Sequence, residues 1–149
     1  MSTLSYPVLI ANPRGRASSV EVKLLVDTGA MFTCLPTQQL ESLGLAPQWG
    51  VPITLADGRR EEWRATEILM TIDGRTLHTT CLFGPPGSLQ LLGAVSLEQF
   101  ALAADPLTRT LVPTRVPMAY GSIHGLRTPG PRSRSQKRDP ISRNARLDP

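Results

Sequence analysis

The sequence predicts one all-β domain over residues 1–113, carrying one or two short helices, and a basic tail over 114–149. Three observations support this. Apolar and polar residues alternate over runs of strand length. Asp57-Gly58 and Asp73-Gly74 interrupt those runs where hairpins would turn. From Pro113 onward apolar periodicity stops, and Pro, Arg, Ser and Gly take over.

The elements follow in order. SYPVLIAN reads as an extended run closed by the turn Asn12-Pro13-Arg14-Gly15. Val20, Val22 and Leu24 alternate with Glu21 and Lys23, a half-buried strand that becomes fully apolar as it approaches Asp27. Met31 to Leu35 is a second strand-like piece. A short helix, TQQLESLG, follows, with Thr37 as its expected cap and Gly44 as its stop. VPITLADGRREEWRATEILMTIDGRTLHTTCLF then reads as several strands. After the loop Gly84-Pro85-Pro86-Gly87 come LQLLGA, a short helix VSLEQFAL and a final strand TRTLV.

Charge separates the two regions. Residues 1–113 hold 8 Lys/Arg and 10 Asp/Glu, a net −2, whereas residues 114–149 hold 8 Lys/Arg and 2 Asp/Glu, a net +6. The folded part therefore has no basic excess of the kind that marks a nucleic-acid-binding domain. The tail is expected to be disordered, and its charge leaves open a weak contact with nucleic acid or another polyanion. Cys34 and Cys81 lie in apolar strand-like runs without a ligand cluster and are expected to be buried free thiols. The N-terminus lacks the pattern of a signal peptide, and no run approaches the length of a membrane span. A cytoplasmic protein without membrane contact is the expectation.

The stretch LLVDTGAMFTCLP, residues 24–36, places a carboxylate directly behind a strand that should be buried. An ionised carboxylate in an apolar setting must find donors or keep its proton. A weak internal repeat adds context: LVDTGA at 25–30 aligns with LQLLGA at 89–94, and a short helix follows each. The second copy has Leu91 where the first has Asp27. Hydrolysis of an amide by carboxylates requires two of them together, one ionised to take a proton from water and one protonated to donate to the carbonyl oxygen. A single chain offers one, and a second copy related by a two-fold axis would supply the other.

VDTGA, followed by LADG and then by LLGA with a Leu- and Glu-containing helix, resembles the retroviral-type (retropepsin-like) aspartic proteases, and more closely their single-domain bacterial relatives. The likeness runs from about Val20 to Val112. It implies a small closed, barrel-like β fold with a flap hairpin, and an active site completed by homodimerisation. It further implies an aspartic endopeptidase that cleaves polypeptides without cofactor or metal, with Asp27 as the catalytic acid from each subunit. The matching Thr28 would hydrogen-bond across the dimer, Gly29 would let a backbone N–H reach the carboxylate, and Ala30 stands where the family takes a small residue. Leu91, Leu92 and Gly93 would pack beneath the loop.

The flap tip is expected at Ala56, Asp57 and Gly58, although the glycine-rich tip of the viral members is only partly matched from Ala56 to Arg60. Trp63 reads equally well as a core residue or a substrate wall. Glu61 and Glu62 read as a solvated hairpin face. His78, His124, Ser96 and Ser122 lack the partners that nucleophilic or metal chemistry would need. The alternative to catalysis is a silent dimerisation or peptide-binding module of the same fold, tethered by its basic tail.

Overall fold

Apolar alternation brings β1 (Ser5–Asn12) and β2 (Gly15–Val26) together as an antiparallel pair, with Val8 opposite Val22 and Tyr6 opposite Leu24. Val8, Ile10, Val22 and Leu24 are buried, and the residues between them face outward. The computed structural model describes residues 3–118, the side chains of Arg16 and Ala17 excepted. Of these, residues 3–116 form one compact unit. The expectations for a disordered tail and for its polyanion contact lie outside the described residues from 119 onward.

The turn between β1 and β2 is fixed from both sides. Asn12 accepts the Arg14 N–H at 2.9 Å, and its side-chain amide donates to the carbonyls of Leu43 and Gly44, each at 3.1 Å. Those carbonyls end α1 (Thr37–Ser42), which follows β3 (Thr33–Pro36). Gly44, at φ +73°, is the stop the sequence predicts. Its N–H reaches Glu41 O and the Leu45 N–H reaches Leu40 O, a Schellman ending with Leu40 and Leu45 both buried. Thr37 is not the N-cap. Pro36 holds that place, and the Thr37 hydroxyl donates to Gly84 O at 2.9 Å, tying the helix to a neighbouring strand.

β4 (Trp49–Thr54), β5 (Arg60–Ile72) and β6 (Arg75–Gly84) form two successive antiparallel hairpins. Asp73 and Gly74 both take positive φ, +49° and +81°, and join β5 to β6 through the two-residue turn expected of Asp-Gly. Tyr6 donates its hydroxyl to the Asp73 carboxylate at 2.9 Å, and that hydrogen bond holds the phenol above its usual pKa. The second hairpin turn, Leu55 to Arg59, uses Gly58 at φ +87°. There the N–H and guanidinium of Arg59 hold the Asp57 carboxyl below its usual range.

The chain ends in short elements: β7 (Leu91–Leu92), α2 (Ala94–Gln99), β8 (Leu102–Asp105) and β9 (Thr110–Pro113). The predicted helix VSLEQFAL is cut short. Ala101 turns into the left-handed region at φ +52°, and Leu102 opens β8. The predicted final strand likewise starts later, because Thr108 and Arg109 belong to the β8–β9 turn. Asp105 anchors that turn by accepting from Leu107 N and Thr108 Oγ1, both at 2.8 Å, bonds that hold its carboxyl below the usual range.

Seven strands form one sheet in the order β1-β2-β7-β3-β6-β5-β4, and β1 also pairs with β5 over Leu9–Ala11. The sheet therefore curls back on itself in barrel-like fashion. It falls short of a continuous closed barrel, because β7 is only two residues long and meets β3 at the single pair Cys34–Leu91. β4 lies at the open edge, with Pro52 in its middle and Glu61 and Glu62 opposite on β5. The main core lies inside the curl, around Ile10, Leu24, Leu35, Ile68, Met70, Leu92 and Phe100. Each such side chain contributes roughly 1.5–3 kcal/mol through burial. A smaller cluster of Cys34, Ala65 and Leu82 lies under Phe32 and Trp63. Among the described residues no helix is long and apolar enough to cross a membrane.

Both cysteines are free and buried. Burial pushes the Cys34 thiol up to about 11 from 9.0 and raises Cys81 further. A raised thiol pKa stabilises the fold below the unfolded-state value and loses that effect as pH climbs toward the folded-state value. Chemical denaturation should therefore show constant thiol-dependent stability up to pH 9.0 and a decline toward about 11 that is smaller in Cys34→Ala. Iodoacetamide at pH 7.5 should label neither cysteine until denaturant is added.

Candidate active site

β2 delivers Asp27 to the surface. Its last residues, Leu25 and Val26, run parallel to Leu91 and Leu92 of β7, and the Asp27 N–H donates to Leu92 O at 3.1 Å. The loop then closes locally, with Gly29 N–H donating to Asp27 Oδ1 at 2.9 Å and Ala30 N–H to Asp27 O at 3.2 Å. A Cβ on Gly29 would stand 3.2 Å from that same carboxylate oxygen, so glycine leaves the approach clear. On its far side the loop is tied to α2, where Ala94 N–H donates to Ala30 O at 2.8 Å and Val95 N–H to Met31 O at 2.9 Å.

Gly93 sets how closely these pieces approach. A Cβ there would fall 2.8 Å from Thr33 N and closer still to the Phe32 carbonyl. The Leu91-Leu92-Gly93 segment thus lies against the Asp27 loop, as the resemblance implies.

Asp27 itself is half-buried, and Thr28 and Gly29 are exposed. The expectation of a buried carboxylate is therefore not met within one chain. β2 ends at the rim of the sheet, and the only hydrogen-bond donor given to the Asp27 side chain among the described residues is Gly29 N–H. The Thr28 hydroxyl has no partner among the described residues.

Two clefts meet at Asp27. The first, of about 470 Å³, runs between the Asp27–Phe32 loop and the β4–β5 hairpin. Val51 and Ile53 of β4 and Leu55 at the start of the following turn line it, and Met31, Phe32 and Trp63 complete a mostly apolar wall. The hairpin thus stands over the carboxylate in the position of a flap. Of the residues expected at its tip, Ala56 lines the cleft, whereas Asp57 and Gly58 form the exposed turn beyond it. Trp63 packs on the Cys34 cluster, lines the cleft, and donates Nε1–H to Glu61 at 2.7 Å. The second cleft, of about 860 Å³, opens on the other side of Asp27 and Thr28 among Leu4, Val26, Leu97, Leu102 and Pro106.

The sequence reading missed the β4 wall, although period-two alternation in VPITL carries it. Met31 and Phe32 follow the motif without any spacing signal of their own. His78 lines neither cleft and is paired with Glu67 on the exposed face of the β5–β6 hairpin. Among the described residues no three His, Cys, Asp or Glu side chains gather as a metal-binding group.

A curled sheet that presents Asp-Thr-Gly in a tight loop, braced from behind by a Leu-Leu-Gly segment and a short helix, is the fold of a retropepsin-like aspartic protease. The chain belongs to the aspartyl protease family, whose profile matches residues 14–95. Its fold is similar to that of the EIAV protease complexed with the inhibitor HBY-793, at a TM-score of 0.54 and 23% identity over 66% of this chain and 88% of that one. A solution structure of the simian foamy virus (mac) protease is also similar, at a TM-score of 0.45 and 21% identity over 66% of this chain and 94% of that one. No curated protein matches the chain by sequence.

Gly93→Ala should disturb the loop from behind, since the added methyl meets backbone with no free end to move. The expected cost is about 1–3 kcal/mol or more, the range for overpacking a tight contact. Thermal unfolding should show a clear fall in Tm, and Gly58→Ala, which meets no atom within 4 Å and strains only φ, should show a smaller one.

Proposed function

We propose that the chain is an aspartic endopeptidase whose active site forms when two copies bring their Asp27 residues together. The observation that carries this reading is the half-buried Asp27 carboxylate at the junction of two clefts, with one oxygen held by Gly29 N–H. The flap-side cleft has mostly apolar walls, which suit the side chains of a bound peptide. The cleft on the other side, next to the exposed Thr28, is a surface for a second copy to cover. Isologous pairing would set Thr28 against its twin and add the missing carboxylate.

In such a pair the two carboxylates share one proton, because like charges at about 3 Å cannot both ionise. The ionised one takes a proton from a water molecule lying between them. The resulting hydroxide adds to the peptide carbonyl carbon while the protonated carboxyl donates to the carbonyl oxygen. Collapse of the tetrahedral intermediate breaks the C–N bond: the amine leaves with a proton from one carboxyl, and a hydroxyl of the intermediate gives its proton to the other as it becomes the carbonyl, which restores the singly protonated dyad. Gly29 N–H holds its carboxylate in orientation throughout.

Asp27→Asn should abolish cleavage of quenched fluorescent peptides and leave a folded protein with an unchanged far-UV spectrum. Asn retains the shape but cannot share the proton. Cleavage by Asp27→Asn equal to wild type would exclude this mechanism, and peptide binding without turnover in wild type would favour the silent binding module. The wild-type pH profile should be a bell centred on the acid side of neutral, since the dyad works only between its two apparent pKa values.

Specific activity should rise with protein concentration, because a separated subunit holds half a site. Mixing wild type with excess Asp27→Asn should suppress it. Dilution experiments read alongside sedimentation measure this directly, and turnover that stays proportional to enzyme while the mass is monomeric would refute the paired site.

A further inference from the structure

A line of buried hydroxyls stands behind the Asp27 loop. Thr33 Oγ1 lies 2.7 Å and Thr79 Oγ1 2.9 Å from Ser96 Oγ, and Gly93 donates its N–H to Thr33 Oγ1 at 3.2 Å. Thr33 and Ser96 are wholly buried and Thr79 almost so. Buried hydroxyls are costly without partners, so a connected line of them favours one arrangement of the elements that carry them. Here those elements are β3, α2 and β6, with the β7–α2 junction held through Gly93.

The line reaches the loop through the neighbours of Gly93. Leu92, on one side, accepts the Asp27 N–H; Ala94, on the other, donates to Ala30 O. Both ends of the Asp27–Ala30 loop therefore hang on the residues that flank one amide, and Thr33 holds that amide. We propose that Thr33 and Ser96 are positioning residues, which set the placement of the Asp27 carboxylate through Gly93; this rests on the peptidase reading above. Two carboxylates that must share one proton tolerate little displacement, and misplacing a reacting group by about 1 Å costs on the order of a hundredfold in rate. Thr79 completes the line at its far end but touches neither Gly93 nor the loop. It separates positioning from general stability.

The test uses the full chain and an internally quenched peptide with apolar residues on both sides of the scissile bond, counting only cleavage that Asp27→Asn loses. Thr33→Val fills nearly the same volume without the hydroxyl. It should lower kcat by about tenfold to a hundredfold with little change in KM. Thr33→Ser, which restores the acceptor, should recover most of that loss. Thr79→Val should lose a similar amount of Tm and keep most of its kcat. Wild-type kcat in Thr33→Val, or an equal loss in Thr79→Val, would overturn the proposal.

Amide hydrogen exchange gives a readout that needs no activity. Thr33→Val should speed exchange at Asp27, Gly93 and Ala94, and Thr79→Val should not; unchanged protection in Thr33→Val would overturn the proposal. If wild type shows no Asp27-dependent cleavage, the peptidase reading fails and the exchange result alone decides the role of the hydroxyl line. If Thr33→Val does not fold, Ser96→Ala takes its place. It should show lowered kcat and faster Gly93 exchange, and wild-type values for both would count against the proposal.

Discussion

The insertion of β7 between β2 and β3 is the constraint on which the rest of this fold depends. Two residues, Leu91 and Leu92, run parallel to Leu25 and Val26 on one side and meet Cys34 antiparallel on the other. Without them the β1–β2 hairpin and the β3–β6–β5–β4 group would be hydrogen-bonded into one sheet only through the short β1–β5 pairing. So short a strand gains little from its own hydrogen bonds. It is held by the full burial of Leu92 and by the close backbone approach that Gly93 permits. The same junction supplies the backbone groups that hold the Asp27 loop, so fold and site share one support.

This arrangement gives the loop an asymmetric environment. Behind it are backbone hydrogen bonds and buried hydroxyls; in front, Asp27 is half-open and Thr28 and Gly29 are exposed. A carboxylate whose loop is hydrogen-bonded from the rear and left accessible at the front suits chemistry that a facing group completes. The flap-side wall adds an apolar surface where water is less able to screen charge. Rigidity at the back and openness at the front are complementary requirements for such a site.

How much of this was legible in the sequence follows from how each feature is encoded. β1, β2, β5 and β6 are long and half-buried, so period-two alternation reports them directly, and Asp73-Gly74 names its own turn. β8 follows α2 without a break in apolar character, so no pattern marks where the helix stops and the strand starts. Thr37 was misread because local capping rules do not know that Gly84 O lies within reach from another strand. The motif singles out Asp27 but does not carry its exposure. Exposure depends on what surrounds the loop in space, whereas the motif reports only what precedes and follows it in the chain. The hydroxyl line escaped for the same reason: Thr33, Thr79 and Ser96 are unremarkable residues until β3, β6 and α2 bring them together.

The open edge of the sheet has a consequence for solubility. β4 closes the sheet order and has a free flank, the kind of surface on which another extended chain can add itself as a strand. Pro52, in the middle of that strand, has no N–H to offer an incoming chain and breaks the run of donors. Arg60, Glu61, Glu62 and Arg64 on the adjoining strand surround it with charge of both signs. The exposed edge of the β4–β5 hairpin is in this way a poor template for fibrous aggregation.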